Sequence, residues 1–92
     1  MNRYSPQPRS LMTPMPDGSA VLLHLDTHAY FSLNTTGRAV WDRLAQQNGA
    51  TVDELVSTLT ARFTVDEDTA RTDVTELLEA LQHQALVTVS SS

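Results

Sequence analysis

The spacing of the apolar residues changes near residue 34, and this change limits the possible folds more than any other feature of the sequence. Within residues 28–33 every second side chain falls on one face of an extended segment, and the face of Phe31 is the better candidate for burial. From residue 39 onward, apolar residues recur at every third or fourth position, as on one face of a helix. The change predicts an α+β domain in which strands come first and helices follow.

Three strands and three helices are predicted in that order. The strands are expected at residues 11–13, 19–25 and 28–33, and Asp17-Gly18 is a turn signal after the first. The helices are expected at residues 36–47, 52–63 and 66–82. Asn34, Thr35 or Thr36 is expected to cap the first helix, and Thr51 with Glu54 forms a capping-box pattern before the second. This order predicts a winged helix-turn-helix: a three-stranded antiparallel sheet followed by three helices.

The 92 residues are expected to form a single domain over residues 11–89. Residues 1–10 have no periodicity and contain two prolines, which predicts a flexible or extended arm, and residues 90–92 are expected to be a frayed tail. The sequence has no cysteine, which excludes disulfides, thiol nucleophiles and Cys-ligated zinc. No apolar stretch approaches the ~20 residues of a membrane span, so a soluble, cytoplasmic protein without membrane contact is expected.

The negative charge of the chain is concentrated in its second half. The net charge is −5, and residues 51–92 hold eight acids but only two arginines. The third predicted helix carries six acids against Arg71. DNA affinity depends on neutralising phosphates with basic residues, so this helix is a poor DNA reader despite the shape of the predicted fold. No nucleic-acid partner is expected.

Catalytic and metal-binding patterns are missing from the sequence. No two of His24, His28 and His83 lie at i, i+4 on one predicted helix, and no G-x-S-x-G elbow or glycine-rich phosphate loop is present. We therefore expect no catalytic residues, no metal and no cofactor. A three-stranded sheet does leave an exposed edge, to which an extended peptide can add as a further strand. The alternative is that the proline-rich arm covers that edge.

From Gly18 onward the sequence resembles the PqqD family of RiPP recognition elements, small domains that bind the leader peptide of a ribosomally made precursor. The matching segments span residues 18–87, about three-quarters of the chain. They are G-S-A-V-L-L-H-L (18–25), A-Y-F-S-L-N-T-T-G (29–37), A-V-W (39–41), T-V-D-E-L-V (51–56), F-T-V-D-E-D-T-A-R-T-D-V-T-E-L-L-E-A-L (63–81) and A-L-V (85–87). One departure is Ala85, where such domains often carry glycine, and it affects the end of the third helix.

The resemblance implies that the leader adds as a strand to residues 28–33 and lies against the helix at 66–82. The implied leader-binding residues are Ala29, Tyr30, Phe31, Ser32, Arg71, Val74, Leu77, Leu78 and Leu81. Arg71 would pair with an acidic leader residue. One apolar stripe cannot face both the interior and a ligand, so some of the helix residues must belong to the core. Leu33, Trp41, Leu55 and Leu59 are expected in the core rather than in contact with the leader.

The resemblance implies a non-catalytic protein that captures a leader and delivers it to a leader peptidase and a cyclase. The Tyr30-Phe31 pair is more similar to the lasso-peptide type of the family. The alternatives are a PqqD-like chaperone of the PQQ precursor peptide and a winged-helix transcriptional or adaptor protein. The exposed strand edge is compatible with a monomer or a weak homodimer.

Overall fold

The computed structural model describes residues 2–91 and confirms the predicted order of strands and helices. In chain order the elements are β1 (Asn2–Pro6), β2 (Ser10–Pro14), β3 (Ala20–His24), β4 (Tyr30–Leu33), α1 (Thr35–Gln46), α2 (Val52–Arg62), α3 (Glu67–His83) and β5 (Val87–Ser91). Strands β2, β3 and β4 form an antiparallel three-stranded sheet in that order, and the three helices follow it in the chain. The fold is therefore the mixed α+β class, and its architecture is compatible with a winged helix-turn-helix.

The register of the three-stranded sheet sets which of its side chains face the helices. Leu22 of β3 lies opposite Phe31 of β4, and Ala20 lies opposite Leu33. Ala20, Leu22 and Leu33 are buried, because alternate residues of a strand point to the same face and that face packs on the helices. The predicted turn between β2 and β3 is present, and Gly18 there has a positive φ of 92°.

A second sheet joins the two ends of the chain, and it corrects the predictions for both. Residues 2–6, expected to lie in a flexible or extended arm, form β1, and β1 pairs antiparallel with β5 from Asn2↔Ser91 to Pro6↔Val87. On its other side Tyr4 donates to and accepts from the backbone of Ala50, at 2.8 and 2.9 Å. Ser90 and Ser91, expected in the frayed tail, are paired too, whereas Met1 and Ser92 lie outside the described residues.

Local signals in the sequence define where the helices begin. Asn34 caps α1, since its side-chain oxygen accepts from the N–H of Gly37 at 2.8 Å. The capping box at α2 is confirmed: Thr51 Oγ1 accepts from the N–H of Glu54, and the Glu54 carboxylate accepts from the N–H of Thr51. After α3, Ala85 has a φ of 58°, in the left-handed region that glycine adopts more easily.

The core lies between the inner face of the three-stranded sheet and the three helices. Leu33, Trp41, Leu55 and Leu59 are all buried, as predicted. The core also holds one side of α3, comprising Ala70, Val74, Leu78 and Leu81. None of the described helices combines the length and apolar character needed to cross a membrane.

Candidate functional site

The outer edge of β4 presents unpaired backbone groups. The N–H of His24 donates to the carbonyl of Ala29 at 2.8 Å, so that carbonyl points toward β3, whereas the N–H of Ala29 donates to Thr27 Oγ1 at 3.2 Å. Successive residues of a strand point their N–H and C=O groups to opposite sides, so those of Tyr30 and Ser32 point away from β3. Among residues 2–91, no strand pairs with this side of β4. The edge therefore offers two donors and two acceptors to an added strand.

A groove of about 650 Å³ lies beside that edge. We call it the β4–α3 groove. Its lining residues come from the strand, from the start of α1, from α2 and from one side of α3. They are Ser19, Phe31, Ser32, Leu33, Asn34, Thr36, Gly37, Val40, Leu59, Asp73, Val74, Glu76, Leu77 and Ala80.

The base of the β4–α3 groove is apolar, and its apolar walls are only partly covered. Val40, Leu59 and Val74 belong to the buried core and form the base, whereas Phe31 and Leu77 are half-buried and pack against that core. A half-buried Phe and Leu still expose apolar area that a ligand could cover, at about 25 cal/mol for each Å² removed from water. The groove can therefore hold apolar side chains of an added strand.

The charged groups of the groove are both acidic. Asp73 and Glu76 line it from α3, and neither makes an ion pair within the described residues. The basic residue Arg38 borders the lining, since it donates to the carbonyl of Ser19 at 3.5 Å, and its guanidinium also lies 3.8 Å from the carboxylate of Asp42. The α3 side of the groove is therefore its negatively charged side.

The polar lining of the groove combines neutral hydrogen-bonding groups with acidic groups. It consists of hydroxyls, one amide and two carboxylates, and the amide oxygen of Asn34 already accepts from Gly37 and Thr36. No histidine lines it, so the histidine–hydroxyl pair that activates a serine nucleophile is not assembled there. Across residues 2–91 no three His, Asp or Glu side chains come together in a group that could hold a metal ion.

Only some of the leader-binding residues expected from the sequence line the groove. Phe31, Ser32, Val74 and Leu77 line the groove. Leu78 and Leu81 do not; they are 2% and 0% exposed and belong to the core. Thus two of the apolar residues of α3 that were expected to contact a ligand do not line the groove, and a third, Val74, is 0% exposed and forms part of its buried base.

The remaining β4 residues contribute backbone rather than groove-lining side chains. Tyr30 is 74% exposed, and it does not line the groove. Its outward N–H and C=O nevertheless belong to the free edge of β4. Ala29 precedes the strand, and its carbonyl is already used by His24.

Arg71 lies on a different side of α3 from the groove. Its guanidinium is 2.8 Å from the carboxylate of Asp53 on α2 and 3.5 Å from that of Glu67, one turn earlier on α3. The hydrogen bond to Asp53 raises the pKa of Arg71 above its usual value. The structure thus gives no support to the expected pairing of Arg71 with an acidic leader residue, which stays a prediction.

Several groove residues were not predicted from the sequence, although part of the signal for them is present. The missed residues Asp73, Glu76 and Ala80 follow helical spacing with the predicted Leu77, so the four form one stripe beside the buried stripe of α3. A helical wheel gives this stripe but not which flank of the helix faces the sheet. Thr36 and Gly37 also line the groove. The local pattern predicts that a helix begins soon after β4, but not that its first turn packs beside this groove.

Comparisons with known proteins give consistent results. The family model of coenzyme PQQ synthesis protein D (PqqD) matches residues 19–87. A solved structure of TbiB1 in complex with the TbiA(beta) leader peptide is similar, with a TM-score of 0.78 and 29% identity over 90% of this chain and 93% of that chain. A lasso peptide synthetase B1 complexed with the leader peptide has the same fold, with a TM-score of 0.77 and 21% identity over 92% and 96% of the two chains. None of the curated proteins matches the chain.

Proposed function

The chain belongs to the PqqD family, and on that premise we propose that it binds the leader peptide of a ribosomally synthesised, post-translationally modified peptide. The leader adds as a strand to the outer edge of β4 and lies in the β4–α3 groove. The observation that carries the proposal is the position of the unpaired groups of Tyr30 and Ser32 beside an apolar groove. Strand addition needs both parts, because main-chain hydrogen bonds give affinity and pockets for alternate side chains give specificity.

The precursor proposed is of the lasso-peptide type. TbiB1, which is 29% identical to this chain over most of both sequences, is bound to a leader peptide in its solved structure. The second similar structure, of a lasso peptide synthetase B1, supports the same fold. These similarities favour the lasso type over a chaperone of the PQQ precursor peptide.

The protein catalyses no reaction. It holds the leader while other enzymes process the precursor. Held on β4, the leader is fixed in one register, because the backbone ladder and the groove both constrain it. The rest of the precursor then extends from a fixed point toward a leader peptidase and a cyclase, which raises its effective concentration at those enzymes.

A titration tests this function. The leader of a precursor encoded beside this gene is labelled with a fluorophore, and its anisotropy is followed as the protein is added. We expect saturable binding at micromolar concentrations. A PQQ precursor peptide and a random DNA duplex at low salt serve as the competing ligands. Tighter binding of either one, or no saturable binding of the leader, would contradict the proposal.

A further inference from the structure

We propose that the β4–α3 groove selects a leader that places a basic side chain, lysine or arginine, against Asp73 and Glu76. The inference rests on the proposed function and adds the chemistry of one leader position to it. Both carboxylates line the groove from α3, on the stripe that also carries Leu77 and Ala80. A strand added to β4 therefore has an apolar surface and two negative charges within reach.

The arginines of the chain pair with groups other than these two carboxylates. Five of the six arginines form ion pairs with other acids, namely Arg3, Arg9, Arg38, Arg43 and Arg71. The sixth, Arg62, lies over the ring of Phe63 at 5.8 Å from its centroid. In contrast, Asp73 and Glu76 have no ion-pair partner within residues 2–91. The groove therefore keeps its negative charge until a ligand supplies the cation.

Binding of an apolar or acidic segment alone would be unfavourable for these carboxylates. An added strand removes water from the groove, and a charge that loses water without gaining a partner raises the free energy of the complex. A leader with a basic residue at this point offsets that cost, whereas one with an acidic residue adds repulsion. The same groove thus attracts one kind of peptide and disfavours another.

The spacing of the stripe suggests where the basic residue lies in the leader. Side chains of an added strand that face the groove are two residues apart, or about 6.6 Å. Asp73 and Leu77 are four residues apart on α3, or about 6 Å along the helix axis. The two spacings match when the added strand runs along the helix. The basic residue is then expected two positions from an apolar residue that contacts Leu77.

The experiment compares charge-neutralised variants at groove-lining and non-lining positions of α3. The double variant Asp73→Asn/Glu76→Gln removes the charges of the groove, and Glu79→Gln removes one charge from an exposed position that does not line the groove. The probe is the labelled leader of the precursor encoded beside this gene. It is used unchanged and with each Lys or Arg replaced in turn by Gln. Circular dichroism checks that each variant is folded.

We expect the double variant to bind the unchanged leader about three- to tenfold more weakly, as two partly exposed ion pairs would give. Glu79→Gln should change the affinity by less than about twofold. Replacing one particular Lys or Arg of the leader should weaken its binding to the original protein but not to the double variant. High salt should reduce the difference in leader affinity between the original protein and the double variant.

The outcomes separate this inference from the proposed function. Saturable binding of the leader with no difference between the double variant and Glu79→Gln overturns the inference and leaves the function intact. The same holds if no basic residue of the leader couples to the double variant. Absence of leader binding to the original protein overturns both.

Discussion

The two outer edges of the three-stranded sheet differ in the backbone groups that they leave unpaired. On β2, the N–H of Leu25 donates to the carbonyl of Arg9, so Ser10, Met12 and Pro14 point their backbone groups outward. The N–H of Ser10 is already bonded to the carbonyl of Gln7 at 3.0 Å, and Pro14 has no N–H. This edge therefore offers one free donor, at Met12.

The β4 edge offers two donors within a shorter strand. Tyr30 and Ser32 both point outward, neither is proline, and the β4–α3 groove lies alongside them. Edge strands in natural proteins are commonly blunted by proline or by internal hydrogen bonds, which prevents unwanted pairing. The contrast indicates that β2 is protected against strand addition, whereas β4 is left open to it.

A proline at position 30 should reduce leader affinity more than any other substitution, because it removes part of the open β4 edge. Tyr30→Pro removes one of the two outward donors, and its ring clashes with a strand placed alongside, so leader binding should weaken at least tenfold, to roughly the limit of detection. The fold should remain, because the N–H of Tyr30 does not bond to β3. Anisotropy titration measures the effect.

Two controls accompany the proline variant. Tyr30→Ala keeps the N–H and removes the exposed ring, so it should bind nearly as the original protein does. Met12→Pro removes the one free donor of the β2 edge and should leave leader affinity unchanged for the folded fraction. If Met12→Pro weakens binding as much as Tyr30→Pro does, then the two edges do not differ in the way described.

Leu77 and Leu78 are adjacent on α3, but Leu77 lines the groove and Leu78 belongs to the core. Substituting each one tests the two environments separately. Leu78 is 2% exposed, and Leu78→Ala should lower the free energy of unfolding by about 2–5 kcal/mol. Leu77 is half-buried in the groove wall, so Leu77→Ala should cost less stability but weaken leader binding by about five- to twentyfold. Urea unfolding and peptide titration on both variants measure the two effects. An equal loss of affinity in the two folded variants would contradict the assignment of the groove wall.

These elements also show which parts of the molecule the sequence predicts. Strand alternation, the capping box at Thr51 and the periodicity of the helices are local signals, and each predicted element has a counterpart in the structure. The pairing of β1 with β5 joins residues at opposite ends of the chain, from Asn2↔Ser91 onward, and no local pattern signals such a contact. The prolines of that segment instead favoured an arm.

The family resemblance predicted β4 and α3 as the leader-binding elements, and a groove does lie between them. Which α3 residues line that groove depends on how the helix is rotated against the sheet. Leu77 and Leu78 are neighbouring residues of the same type, and only the packing of α3 places one in the groove and the other in the core. The same rotation turns Arg71 toward Asp53 and brings Asp73 into the groove instead.

Substitution of Ala85, which lies outside both sheet edges, should have the smallest effect on the free energy of unfolding. Its φ of 58° is strained for a residue with a side chain, and it follows α3 where glycine commonly ends a helix. Ala85→Gly should raise the free energy of unfolding by about 1 kcal/mol, because relief of the strain outweighs the added freedom of the unfolded chain. Urea unfolding measures the gain. Leader affinity should not change, because Ala85 does not line the β4–α3 groove. A loss of affinity in this more stable variant would show that the end of α3 contributes to binding, and the open edge of β4 would then be only one part of the leader-binding surface.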